Sequence, residues 1–207
     1  KEYGGKAFKV DDDEPYTGRV FDLNKSTGKK TLKGQYKNGL KTGKWTEWYS
    51  NGQKWLEGTY KNGERDGLWT EWFYENGQKW SEETYKDGEL DGLWTMWYEN
   101  GQKNSEGTFK DGEKDGKWTY WSGGEAGGEV IFQPYHKSSE TTYKDGKKDG
   151  IHTIWYENGQ KKSEATYKDG EFDGLYTEWN ENGQKEEEQT YKDGEWIKRT
   201  WWYENGQ

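Results

Sequence analysis

Short segments rich in aromatic residues and threonine, such as Leu68 to Phe73, alternate along the chain with polar stretches that close on glycine, and the pattern returns at a fixed interval. Aromatic and β-branched side chains favour a pleated, partly buried strand. The aromatic residue before each Lys-Asp-Gly or Lys-Asn-Gly marks the period: Tyr36, Tyr60, Tyr85, Phe109, Tyr143, Tyr167 and Tyr191, with steps of 24, 25, 24, 34, 24 and 24 residues. A unit of that length is too short for a pair of helices and suits a β-hairpin. Its consensus reads YKDGExDGLWTEWYENGQKxSExT. Gly88 and Gly92 bracket one turn, while Asn100-Gly101 marks the other and has the composition of a tight hairpin turn.

Two short antiparallel strands per unit give an all-β fold: an elongated single-layer repeat sheet of about fourteen strands, curved or coiled because broad sheets twist. Proline occurs only at Pro15 and Pro134, outside the regular copies, so the ladder hydrogen bonds inside them are uninterrupted. Residues 1–14 read as a lead-in or linker and residues 15–207 as the repeat domain, with a degenerate first copy at 16–33 and an insertion at 122–137. The chain starts at Lys1 rather than Met and stops at Gln207 inside a copy. A removed leader upstream, a continuation downstream and an extracytoplasmic location are the corresponding expectations, with the cytoplasm as the alternative.

Strand geometry sends residues three apart to opposite faces, so each copy lays down two aromatic columns. Trp48, Trp72, Trp97, Trp121, Trp155, Trp179 and Trp202 form an unbroken one, which is expected to face the packed side. In the other, Trp45, Trp69, Trp94 and Trp118 give way to His152, Tyr176 and Arg199. Its rings either shield a thin sheet by stacking or form an exposed binding strip. Trp55 and Trp80 favour the strip, because other copies carry Asn104, Lys162 or Glu186 at the same position. Equivalent rings two strands apart are spaced at roughly 10 Å, close to the repeat of a β-linked disaccharide, which makes polysaccharide the alternative ligand.

Composition first argues against a folded chain and then for it. Only 27% of the residues are hydrophobic, and Leu, Ile, Val and Phe together reach about a tenth, the level of a disordered protein. Yet the net charge is only −9, and 15 Trp with 16 Tyr supply the apolar surface that aliphatic residues do not. A mildly acidic chain lacks the clustered cations that nucleic acid requires. No apolar run approaches membrane-spanning length, and the absence of Cys removes thiol chemistry, disulfides and zinc knuckles.

Few residues offer chemistry. Asp87, Glu89 and Asp91 before Gly92 imitate the opening of a calcium loop, but Lys147 interrupts a later copy and no carboxylate stands at the twelfth position, so turn geometry accounts for them better. His136 and His152 are the only imidazoles, too few for a recurring metal cluster or catalytic triad. The expectation is a protein without catalytic residues, metal or cofactor. The longest irregularity, Ser122 to Lys137, replaces a tight turn with a glycine-rich stretch followed by Val130, Ile131, Phe132, Tyr135 and His136. Such loops on rigid scaffolds are where function concentrates. With His152 in the next copy, Tyr135 and His136 are expected to border a small pocket.

The repeat resembles MORN-type repeats, in the bacterial variant often labelled the YwqK family of antitoxins. The resemblance rests on Gly63, Gly67, Trp69, Trp72, Asn76 and Gly77 and on their counterparts Gly170, Gly174, Tyr176, Trp179, Asn182 and Gly183. It implies a hairpin ribbon that serves as a scaffold or protein-binding surface, in some cases neutralising a toxin. The expected function is therefore binding of a partner protein through the aromatic face, the insertion, or both, with Trp55, Trp80, Val130, Ile131, Phe132, Tyr135, His136 and His152 as contact residues.

Overall fold

The computed structural model describes residues 2–3, 6–7, 13–123 and 134–202. Two compact units divide the chain, Lys1–Trp94 and Thr95–Gln207. The first holds β1 (Glu2–Tyr3), β2 (Lys6–Ala7), β3 (Gly18–Leu23), β4 (Lys30–Lys37), β5 (Leu40–Trp48), β6 (Lys54–Lys61), β7 (Glu64–Arg65), β8 (Gly67–Trp72) and β9 (Lys79–Lys86). The strand β10 (Glu89–Trp97) straddles the division. The second unit continues with β11 (Lys103–Lys110), β12 (Glu113–Ser122), β13 (His136–Lys144), β14 (Lys147–Trp155), β15 (Lys161–Lys168), β16 (Glu171–Trp179), β17 (Lys185–Lys192) and β18 (Glu195–Trp201). Among the described residues there is no helix.

Apart from the short pair β1–β2, the strands make one open antiparallel sheet whose order follows the chain, with β7 paired to β6 beside β8. The all-β hairpin architecture read from the period is therefore the observed one. Among the described residues it has 16 strands rather than about fourteen, because the degenerate first copy adds β3 beside β4 and one strand is split into β7 and β8.

The two turns exchange the roles that composition assigned to them. At Asp87-Gly88 both residues have positive φ, 46° and 90°, and the same holds at Asn62-Gly63, Asp111-Gly112 and Asp169-Gly170. That is the signature of the tight type I′ turn, which matches the twist of the flanking strands. Asn100-Gly101 instead closes a longer loop, in which the Tyr98 N–H donates to the Gln102 carbonyl at 2.8 Å and Asn100 Oδ1 accepts from the Gln102 N–H at 2.9 Å. Gly92 is not a turn residue at all; it lies inside β10. The equivalent Gly116 sits at a bulge, where two steps along β11, Glu106 to Thr108, face four along β12, Thr119 to Asp115.

That bulge creates the core. Trp45, Trp69 and Trp118 are the most buried large side chains, at 3%, 1% and 1% exposure. Each indole N–H donates to a carbonyl ten residues earlier: Gln35 at 3.3 Å, Thr59 at 3.2 Å and Thr108 at 3.0 Å. Tyrosine edges close in from neighbouring strands, with ring centres 5.2 Å apart for Tyr36–Trp45, 5.6 Å for Trp45–Tyr60 and 4.9 Å for Tyr60–Trp69. Cations cap the ladder, Arg65 lying 4.2 Å above Trp69 and Lys114 4.2 Å above Trp118. Ala7 of the lead-in also enters this cluster, beside Tyr36 and Trp45.

The packed column is thus the one that breaks, and the unbroken Trp48 to Trp202 column is only half-buried. The expectation was inverted because it took constancy of the ring as the sign of packing. What the core preserves is a fitted pair. Gly34, Gly58 and Gly107 lie beneath Trp45, Trp69 and Trp118, whereas Ala165 stands opposite Tyr176 and Thr141 opposite His152. In these copies a smaller ring is matched by a larger neighbour, as close packing requires, whereas Trp94, with Glu83 eleven residues earlier, is only partly buried.

Candidate functional site

Alternation along a strand puts Trp45 on one face and Trp48 on the other. The face away from the core carries two rows, each of which recurs within both units. One is the half-buried tryptophan column, covered by lysine: Lys54 Nζ lies 5.3 Å from the centre of the Trp72 ring, Lys137 5.1 Å from Trp155 and Lys161 5.7 Å from Trp179. The same lysines pair with a glutamate three residues on, at 2.8 Å for Lys54–Glu57 and Lys137–Glu140 and 2.5 Å for Lys161–Glu164. Partial burial raises the Glu140 carboxyl, but hydrogen bonds from Lys117 and Lys137 outweigh it and hold the group below its ordinary value. Glu57, between Lys54 and Lys44, is held low in the same way.

The second row is aliphatic and open to solvent. Leu68 is 55% exposed, Leu93 70%, Ile151 53% and Leu175 51%. All four occupy the position just before the core aromatic, where other copies carry Lys44 and Lys117. Across the ladder they face threonines: Leu68 opposite Thr84, Ile151 opposite Thr166 and Leu175 opposite Thr190. The sequence reading missed this row. Its signal was present as the recurrent aliphatic residue in LWT, IHT and LYT, which the tryptophans beside it overshadowed.

The residues singled out from the sequence are distributed rather than gathered. Trp55 and Trp80 are each 39% exposed in the first unit, Trp55 with its ring centre 6.3 Å from that of Tyr49. Val130, Ile131 and Phe132 lie outside the described residues. The Tyr135 hydroxyl donates to the Lys103 carbonyl at 2.8 Å, and His136 Nδ1 lies 2.9 Å from the Pro134 carbonyl. His152 is on the core face, its Nδ1 2.7 Å from Thr141 Oγ1. Burial and the neighbouring Lys148 push its imidazole below the ordinary value.

A cleft of about 880 Å³ does open beside the insertion. Ser122, Pro134, His136 and Ser138 form one side; Trp155, Tyr156, Asn158 and Lys162 are among the residues of the other. His136 therefore borders a pocket, but Tyr135 and His152 do not line it. Tyr135 is turned to the preceding copy by its bond to Lys103, and the His152 ring is engaged with Thr141 and Tyr167. Among the described residues, no three His, Asp or Glu side chains are grouped so as to hold a metal ion, and no helix is long and apolar enough to cross a membrane. Asp87 serves its turn and pairs with Lys61 at 3.0 Å.

A family model described as the MORN repeat variant matches residues 41–62, 65–87, 90–111, 148–169 and 172–193, together more than half of the chain. A comparison of the chain with the curated proteins finds no match.

Proposed function

Because the chain belongs to the MORN repeat variant family, we propose that this repeat scaffold is a non-enzymatic protein that binds a partner protein through the sheet face opposite its core. One observation carries the reading: each unit exposes aliphatic side chains on that face, Leu68 and Leu93 in the first and Ile151 and Leu175 in the second. Exposed apolar rows gain free energy when another protein's apolar surface removes them from water. Aliphatic side chains give a sugar no ring to stack on. The tryptophans of the same face are also poorly suited to a polysaccharide, since lysine ammonium groups already lie over Trp72, Trp155 and Trp179. Sequestering a toxin would be one use of such a surface.

The test is an affinity capture from proteins and glycans of the native source, with the intact chain beside one carrying Leu68→Lys, Leu93→Lys, Ile151→Lys and Leu175→Lys. Stoichiometric recovery of one protein by the intact chain, lost in the variant, is the expected result. Recovery of polysaccharide by both, or of the same protein by both, would overturn the reading.

A further inference from the structure

The cleft beside the insertion is the space of an aromatic pair that this copy lacks. In the copy that ends β5 and begins β6, Tyr49 and Trp55 fill the equivalent positions, 6.3 Å apart, and the Tyr49 ring also meets Tyr74 edge-on at 5.0 Å. In the copy that ends β12 and begins β13, those two positions are Ser122 and Ser138, and both line the cleft. A hydrogen bond is missing with the ring. Tyr49, Tyr98 and Tyr156 each donate a phenol to the tryptophan carbonyl one copy on, at 2.8 Å to Trp72, 2.7 Å to Trp121 and 2.9 Å to Trp179. Ser122 is too short to supply that donor to Trp155. The tyrosine nearest in the insertion, Tyr135, is bonded backwards to Lys103 and lies off the cleft.

We infer that this cleft is an anchor site for one aromatic side chain, tyrosine or tryptophan, presented by a partner peptide. The cleft is a second site, apart from the exposed aliphatic side chains, and its reading as a peptide anchor rests on the protein-binding function proposed above. Ile154 supplies an aliphatic wall, and Trp155 and Tyr156 supply the ring surface that Lys137 and Lys162, 5.1 and 5.6 Å from their centres, leave uncovered. A phenol or indole N–H can donate as the absent tyrosine would have done. Two carboxylates, Glu157 and Glu181, against one ammonium, Lys162, favour a basic residue beside the aromatic one. Buried aromatic anchors in preformed pockets are the groups that dominate protein interfaces.

The experiment titrates the full chain with amidated Lys-Tyr-Lys and Lys-Leu-Lys peptides and follows the Trp155 and Tyr156 resonances. The tyrosine peptide is expected to shift them and to bind at least about tenfold more tightly than the leucine peptide. Refilling the space with Ser138→Trp, or more gently with Ser122→Tyr, is expected to abolish that shift while leaving the melting temperature equal or higher. Equal response to both peptides, or an unchanged response in a refilled variant that melts normally, would overturn the anchor site. The two readings fail separately: a captured protein lost by the aliphatic-row variant but kept by Ser122→Tyr would leave the scaffold function standing and remove the cleft from it.

Discussion

A Cβ atom placed on Gly107 would lie 2.2 Å from Cδ2 of the Trp118 indole, so this glycine is the floor on which the most buried ring of the second unit rests. Gly58 bears the same relation to Trp69, also at 2.2 Å. The absence of a side chain is what lets a single sheet bury an indole almost completely, with strands below, tyrosine edges at the sides and a cation above. Gly107→Ala is therefore expected to cost about 1–3 kcal/mol, the range for forcing extra volume into a packed core. Adding Trp118→Tyr should recover part of that loss, since Ala165 opposite Tyr176 is the combination already present in a later copy. Denaturant unfolding of the two single variants and the double variant reads the coupling directly.

His152 replaces tryptophan in that same core column and makes stability depend on pH. Its imidazole is held below 6.5 by burial and by Lys148, against a weaker opposing bond to the Glu140 backbone. Thr141 and Tyr167 are its other neighbours. A folded pKa below the unfolded one means that the unfolded chain takes up the proton first, so this residue's contribution falls as pH drops through 6.5 and is constant above it. Between about pH 7.5 and pH 5.5 the native chain is expected to lose stability relative to His152→Tyr. A pair of melting curves at each pH measures the difference; parallel behaviour of the two chains would show that His152 does not titrate differently on unfolding.

The type I′ turns predict a sharp contrast between near-isosteric substitutions. Asp111 has φ of 49°, and Asn38 and Asn62 hold the same conformation at 51° in other copies. Asp111→Asn is expected to leave stability within about 0.5 kcal/mol of the native chain. Asp111→Ala should cost about 1–2 kcal/mol, because an ordinary side chain clashes with its own backbone at positive φ and alanine has no polar group to compensate. Thermal unfolding distinguishes the two cases, and an equal effect would mean that the turn relaxes to another type.

Much of this architecture was written in the period. Tyr36 to Tyr191 announce hairpins, the paucity of proline announces unbroken ladders, and the MORN-like residues announce the family. What could not be read is which face packs. Trp45 and Trp48 are equally large and three residues apart, and the sign that separates them is an absence: glycine at positions 34, 58 and 107, eleven residues before the buried ring. The turns misled for a related reason. Asn-Gly and Asp-Gly both admit positive φ, and the choice between a two-residue turn and a longer loop is fixed by strand register, which Asn100 and Asp87 do not encode by themselves. Register likewise sends Tyr135 back to Lys103 and separates His152 from His136.

The aliphatic row separates binding from folding. Leu93 is 70% exposed and Leu175 51%, while Lys44 and Lys117 take the same position in other copies without disturbing the sheet. Lysine at positions 93 and 175 is thus already a tolerated solution of this fold, and strand propensity differences between the two residues are small beside the packing terms. Leu93→Lys with Leu175→Lys is expected to change the unfolding free energy by no more than about 0.5 kcal/mol per site. If the row is the contact surface, the same double variant loses the captured partner, since each lysine leaves an ammonium to be desolvated against apolar surface. A variant that melts at the native temperature and still holds the partner would place the contact elsewhere. One that melts far lower would mean that these leucines serve the sheet itself, and their exposure would then need a structural cause.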